Sequence, residues 1–295
     1  MDGVMKYFEH YNEVKKTKPY GLRGQLRNAA LTGLSVVDKM KGIERDLQRP
    51  RVQFLYIHHT FKDEEAKLDN LLKRLAVDHA FIPYSEAVER VLERRIDKPY
   101  ISISSDDGFK NNLRTAEILD RYGAKGCFFI NPSVIGETDF ATIAKHCKDR
   151  LSFPPVEFLD WDEVGQLQQG GHEVGSHTMD HINVAETSPA AFADDCAKTY
   201  ETLTRRCGSV SHFAFPYGRF FHFNEGARKT VFEAGFISCA TAERGCHIDH
   251  GTALKKEELC ILRDHVVLDW PIDHIFHFLA KNSRNAVPQN NLFPY

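Results

Sequence analysis

The chain has no long apolar run. Nothing in its 295 residues approaches the roughly 20 apolar positions that a membrane helix needs, so no membrane span is expected. The opening stretch MDGVMKYFEHYNEVKKTKPY has no apolar core of the signal-peptide kind, which points to the cytoplasm. No CxxC pair occurs among the seven cysteines, and their odd, dispersed placement argues for a reducing compartment rather than a disulfide framework. Cys127 and Cys239 fall inside apolar runs, where a free thiol behaves as a small hydrophobe. Charge of one sign is also lacking: a formal net charge of -3 gives no electrostatic case for nucleic acid or an anionic membrane as a partner. No internal repeat and no low-complexity segment interrupts the chain. With 42% hydrophobic and 27% charged residues, it has the composition of one large globular domain or two small ones.

What is present is alternation. Residues 1–50 are polar and of mixed charge, and read as an N-terminal helical extension that packs on the domain or on a partner. One amphipathic helix is expected over 22–47, weakened by Gly24 and Gly33. Residues 51–295 read as the main domain. Strands are expected at 52–57, 100–104, 126–130, 172–175, 211–215, 236–240 and 259–268. Helices are expected at 63–77, 112–122, 161–169, 189–207, 224–234 and 272–280, the last carrying His274 and His277 on its outer face. Such βα units form a parallel sheet, and about seven of them favour closure into a barrel. Catalytic groups of such barrels gather at the carboxyl ends of the strands.

Two segments at expected strand ends carry chemistry. Ser104-Ser105-Asp106-Asp107-Gly108 follows one apolar run, and Gly175-Ser176-His177-Thr178-Met179-Asp180-His181 follows Glu173-Val174. Adjacent carboxylates repel unless a cation or a shared proton offsets the cost. One of Asp106 and Asp107 then suits a metal and the other a general base, provided that a tight turn at Gly108 aims both inward. An N-cap for the next helix is the alternative. His177 and His181 are four apart, a spacing that puts two imidazoles on one face of a helical turn; two loop histidines bonded to backbone or solvent are the alternative. Ser176, Thr178 and Asp180 are candidates for fixing the imidazole tautomers. Two imidazoles and one carboxylate leave coordination positions open for water, the pattern of a hydrolytic rather than a structural metal site.

Together, SSDDG, GHEVGSHTMDH and FAFPYG resemble the motifs of the polysaccharide deacetylase superfamily, carbohydrate esterase family four, which includes the nodulation-type deacetylase homology domain. The resemblance covers roughly residues 50–280. It implies a distorted (β/α)-barrel with fewer than eight regular strands. It further implies Asp106 as catalytic base and Asp107, His177 and His181 as ligands of a divalent ion, usually zinc, with nickel, cobalt or another divalent ion also used. The backbone N–H of Tyr217 would help to hold the oxyanion. Two departures stand out. Ala214 occupies the place, two before the proline, where the family often has an arginine paired with the base. Arg263, on the last expected strand, is the candidate replacement, with an ordinary ion pair as the alternative. The family's Leu-x-His, source of the general acid, has its nearest match in His265. His58 and His59, closing the first strand, are the other candidates, and strand alternation lets only one of them point inward. Trp161, Tyr217, Phe220, Phe221, Phe223 and Trp270 are candidates for stacking on a sugar, those at 217–223 being the best placed.

The expected activity is metal-dependent hydrolysis of a carbon–nitrogen bond other than a peptide bond, led by N-deacetylation of an amino sugar or glycan precursor. The expected partner is a small-molecule or oligosaccharide substrate inside the cell. Hydrolysis of a small non-sugar amide by the same fold is one rival, favoured by the two departures. A glycan-binding relative without activity is the other, and four intact chemical groups argue against it.

Overall fold

The strands of the main sheet path are buried almost throughout, and alternation of side chains sorts their residues between a lumen and a helical shell. The computed structural model describes residues 6–17, 21–249 and 251–294. In chain order these form α1 (Tyr11–Thr17), α2 (Leu22–Met40), α3 (Glu44–Leu47), β1 (Arg51–Ile57), α4 (Glu65–Leu75), β2 (Ala80–Phe81), α5 (Tyr84–Leu92), β3 (Pro99–Ser105), α6 (Asn112–Asp120), β4 (Gly126–Ile130), α7 (Phe140–Asp149), α8 (Trp161–Gln169), β5 (Glu173–Ser176), α9 (Pro189–Cys207), β6 (His212–Ala214), α10 (Glu225–Glu233), β7 (Ser238–Ala240), β8 (Cys260–Ile261), β9 (Arg263–His265) and α11 (Ile272–Arg284). In β1, Val52 and Phe54 join the inner cluster while Leu55 and Ile57 face the helices. In β4, Cys127 and Phe129 face inward and Phe128 and Ile130 outward. The apolar face of α5 packs on the inner cluster beside Val52 and Tyr100, each the second residue of its strand.

The sheet runs β8-β7-β6-β5-β4-β3-β1-β9, with β2 attached to β3. All these pairings are parallel. The two ends of this order are neighbours in sequence: β8 pairs with β7, and after Leu262 the chain crosses to pair β9 with β1. The barrel is therefore nearly closed by its own backbone. His247 pins the crossing. It exchanges backbone hydrogen bonds with Val52 at 2.8 Å in both directions, and its Nε2 accepts the Leu262 N–H at 3.1 Å.

This matches the expected distorted (β/α)-barrel, with eight strands on the main path instead of about seven. The difference lies in 259–268, where one long strand was expected. The crossing at Leu262 divides it into β8 and β9, each too short to show a period. The elements β2, α5 and α7 were not anticipated. The helix expected over 22–47 ends at Met40, and a turn at 41–43 leads into α3. His274 and His277 do not face outward, because α2 lies along α11 and covers them. Thr32 Oγ1 meets His274 Nε2 at 3.0 Å, His277 Nδ1 donates to the Asp38 carboxylate, and Ser35 Oγ donates to the Asp273 carbonyl at 3.1 Å.

Candidate active site

Asp106 and Asp107 follow directly from β3, which lies between β1 and β4 in the sheet. Asp106 continues the inward alternation of Ser104, and its N–H donates to the Ile57 carbonyl at 3.1 Å. Asp107 (φ 76°) and Gly108 (φ 78°) then both adopt left-handed backbone. That turn brings the second carboxylate to the same end of the barrel. Thr178, His181 and Tyr217 share this conformation, so among the described residues four of the six non-glycine positions with positive φ cluster at one site. Such strain of about 1–3 kcal/mol each persists only where the surroundings over-determine it, and it concentrates at functional sites.

Asp106 is held by Arg263 through two parallel bonds of 2.7 and 2.8 Å. The guanidinium is buried inside the barrel between the rings of Tyr56 and Phe129. Its remaining bonds go to Ser104 Oγ at 3.2 Å and the Thr241 carbonyl at 2.8 Å. Burial alone would raise the Asp106 carboxyl, but Arg263, with His177 behind it, outweighs that and holds it at about 2. Arg263 itself is raised by Asp106 against the opposing effect of burial. The position of Ala214, from which the family often projects an arginine, is filled by a buried methyl group on β6.

His177 and His181 do not lie on a helical turn. Residues 177–183 are irregular, reversed by the left-handed residues Thr178 and His181, so the two rings approach edge to face at 5.0 Å. His177 Nδ1 sits 2.7 Å from the Ala214 carbonyl, which can only accept; Nδ1 therefore carries the proton and Nε2 keeps its lone pair. The tautomer is thus set by β6 backbone and not by Ser176, Thr178 or Asp180. Thr178 Oγ1 instead accepts the Ile182 N–H at 3.1 Å. Asp180 turns away to Arg150 and Ser133, at 2.6 and 3.1 Å. Asn131, at the end of β4, donates from Nδ2 to the carbonyls of both His177 and Thr178 and clamps the loop.

Asp107 Oδ1 lies 3.6 Å from His177 Nε2 and 3.5 Å from His181 Nε2. Ligand atoms about 2.0–2.2 Å from a tetrahedral ion stand roughly 3.4 Å apart, so the spacing fits such an ion. Asp107 Oδ1 is buried with no hydrogen-bond partner. Burial, followed by the charge of Asp106, pushes its carboxyl well up. Burial also holds both imidazoles in the neutral form that can ligate. A buried acceptor without a donor, facing two lone pairs, fits a cation. Among the described residues this is the one group of three such side chains with ligand atoms within 4.8 Å of one another.

These groups open into a cavity of about 340 Å³, lined also by His58, His265, Tyr217, Phe109 and Phe153. His58 continues the inward alternation of Tyr56, and burial lowers its imidazole to about 4 against the pull of Asp106. His265 stacks on Tyr56 at 4.8 Å and meets His58 edge to face at 5.0 Å. Burial also drives His265 well down, and His58 adds to this. His59 turns aside to the Glu64 carboxylate at 3.0 Å. Of the six aromatic residues considered for sugar stacking, only Tyr217 lines the cavity. Phe223 is buried flat against Phe215, and Trp161 and Phe220 pack on the core. Tyr217 is followed by Gly218 (φ 62°), where a Cβ would meet that of Ala242 at 2.3 Å, so this turn admits only glycine.

A family model described as polysaccharide deacetylase matches residues 93–237. YxkH of Bacillus subtilis (strain 168), named for the same family, is 23% identical over 157 residues, 52% of this chain and 48% of that protein; the match thus spans about half its length. Among solved structures, IcaB from Ammonifex degensii superposes with a TM-score of 0.60 at 18% identity, over 78% of this chain and 98% of that one. The Streptococcus pyogenes deacetylase PplD, solved with acetate, gives 0.61 at 14% identity, over 79% and 98%. At these identities the two structures speak for the fold.

Proposed function

The chain belongs to the polysaccharide deacetylase superfamily, and from that premise we propose that it is a metal-dependent N-deacetylase of an amino sugar or glycan precursor. One observation carries the reading: an arginine-clamped carboxylate and an Asp-His-His ligand set face one cavity. Asp107, His177 and His181 are the residues that would hold the ion, zinc being the first candidate. When bound, a divalent ion supplies Lewis acidity, acidifying water and polarising the amide carbonyl. Asp106 accepts the proton of the attacking water. Arg263 keeps that carboxylate ionised and aimed. The Tyr217 backbone N–H is the donor for the oxyanion. His58, more closely coupled to Asp106 than His265 is and neutral at rest, relays to the departing amine the proton that Asp106 took from water.

A cytoplasmic location is part of the proposal, supported by seven cysteines that are all free. The test is acetate release from N-acetylated sugars by zinc-loaded protein, compared with chelator-treated protein and with Asp106→Asn. Release by the loaded wild type alone supports the reading; no release from any N-acetylated sugar overturns it. The apolar side chains of Leu151, Phe153 and Leu268 in the cavity favour one second reading, a small non-sugar amide as substrate. Parallel assay of such amides decides between the two.

A further inference from the structure

The N-terminal segment reaches the active site. The N–H groups of Tyr11 and Asn12 donate to the two carboxylate oxygens of Asp63 at 2.7 and 3.0 Å, which caps the first turn of α1. The Lys62 N–H donates to the Glu9 carbonyl at 3.2 Å, and the Phe8 N–H to the Pro155 carbonyl at 2.9 Å. Lys15 pairs with Asp269 at 2.6 Å. Residues 6–17 thus tie together the loops that follow β1, α7 and β9, with Val14 buried beneath them against a cluster that includes Phe61 and Phe109. So fixed, the Tyr11 ring stacks on His59 at 5.4 Å and 30°, and His59 stacks on Phe153 at 5.5 Å and 27°. His59 is oriented in turn by the Glu64 carboxylate. All three rings line the cavity that holds Asp106 and Asp107.

We propose that Tyr11 is a specificity-determining residue: with His59 and Phe153 it forms an aromatic wall that seats a single amino-sugar ring and shuts out interior units of a polymer. The inference rests on the deacetylase reading. The face of a pyranose ring is a row of C–H groups, which suits stacking on aromatic faces. An interior polymer unit needs a groove open at both ends. Here three rim loops are joined, and about 340 Å³ lies at the lower end of the roughly 300–1,000 Å³ of small-ligand cavities.

The experiment uses the full zinc-loaded chain and compares kcat and KM for N-acetylglucosamine with those for its linear pentamer. The variants are Tyr11→Ala, Tyr11→Phe and Asp63→Asn. The wild type is expected to favour the single sugar. Tyr11→Ala should raise its KM about tenfold with kcat little changed, and should narrow the preference over the pentamer. Tyr11→Phe, which keeps the ring, should raise KM far less than Tyr11→Ala does. Asp63→Asn, which loosens α1 without touching the ring, should move KM in the same direction as Tyr11→Ala. Wild-type preference for the pentamer overturns the inference, as does a KM unmoved by Tyr11→Ala while acetate is still released. No acetate from either ligand overturns the deacetylase reading and this inference with it.

Discussion

Replacing Arg263 by lysine keeps the charge opposite Asp106 and removes the fork. The guanidinium makes four hydrogen bonds, two to Asp106 at 2.7 and 2.8 Å and one each to Ser104 and the Thr241 carbonyl. A single ammonium at the end of a flexible stem cannot meet both carboxylate oxygens and Thr241 in the same geometry. Hydrogen bonds to charged groups contribute about 1.5–3 kcal/mol each, so losing one and misaiming the carboxylate should lower kcat roughly 30- to 100-fold. Arg263 is buried and bonded to Asp106, Ser104 and Thr241, so KM should stay within about threefold. Arg263→Ala should do more. It leaves a buried carboxylate unpaired at about 3–5 kcal/mol, which urea unfolding reads directly. Acetate release under steady state measures the kinetic part, with metal content checked in each preparation. A lysine variant with wild-type kcat and full metal would refute the argument, for it would show that position and not geometry suffices.

Other outcomes follow from the same contacts. His177→Ala and His181→Ala should each lose most bound zinc by elemental analysis, and equal content in both variants and wild type would remove the site. Asp106→Asn should keep zinc and lose about 10²–10⁴ in kcat, because an amide cannot take the proton. His58→Ala should cost about 10²-fold in kcat and His265→Ala about tenfold; the reverse order would transfer the acid role to His265. Stability should fall on acidification through the buried imidazoles of His79 and His247. Burial lowers both from 6.5 to about 4 in the folded chain. The unfolded chain therefore binds more protons between these values. The contribution of each, up to about 3 kcal/mol, is complete above pH 6.5 and is lost as pH falls toward 4. Urea midpoints independent of pH over that window would contradict it.

The long elements were legible because their periods are strong. For α9, Ser188 caps the start, Pro189 opens the helix and Gly208 ends it, and the expected bounds 189–207 are those observed. α5 does carry a helical pattern, with Tyr84, Ala87, Val88 and Val91 on one buried face, and α7 repeats it with Ile143, His146 and Cys147, but both are short, and β2 has only two residues. At the site, residue type pointed to His177, His181 and the Asp106-Asp107 pair, because few arrangements use two imidazoles beside a carboxylate pair, and the family resemblance alone told the two carboxylates apart. Spacing misled about their backbone: four apart suggests a helix, yet two left-handed residues give the same convergence in a loop. Tyr11 left no such signal. A lone tyrosine in a polar segment becomes part of the cavity only through Asp63, Lys62 and Pro155, contacts that span 51 to about 150 positions of sequence.

Arg263 shows why such a site tolerates a change in the origin of its parts. Inward positions at the carboxyl ends of all the barrel strands face one small volume, so a guanidinium can enter it from β9 as well as from β6. β9 is a demanding source, since it is three residues long and hangs on the crossing at Leu262. The crossing is secured on three sides. β9 pairs with β1, the Arg263 N–H donates to the Glu243 carbonyl at 2.9 Å, and His247 takes the Leu262 N–H. An arginine at the seam therefore couples barrel closure to the aim of the Asp106 carboxylate. Loosening the seam at His247, far in sequence from every motif, should reach Asp106 through Arg263 alone. His247→Gln should thus lower kcat and leave zinc binding by Asp107, His177 and His181 intact, because those ligands hang from β3 and β5. Loss of zinc in parallel with kcat would instead mean that the whole barrel mouth had loosened, and the specific coupling would be wrong.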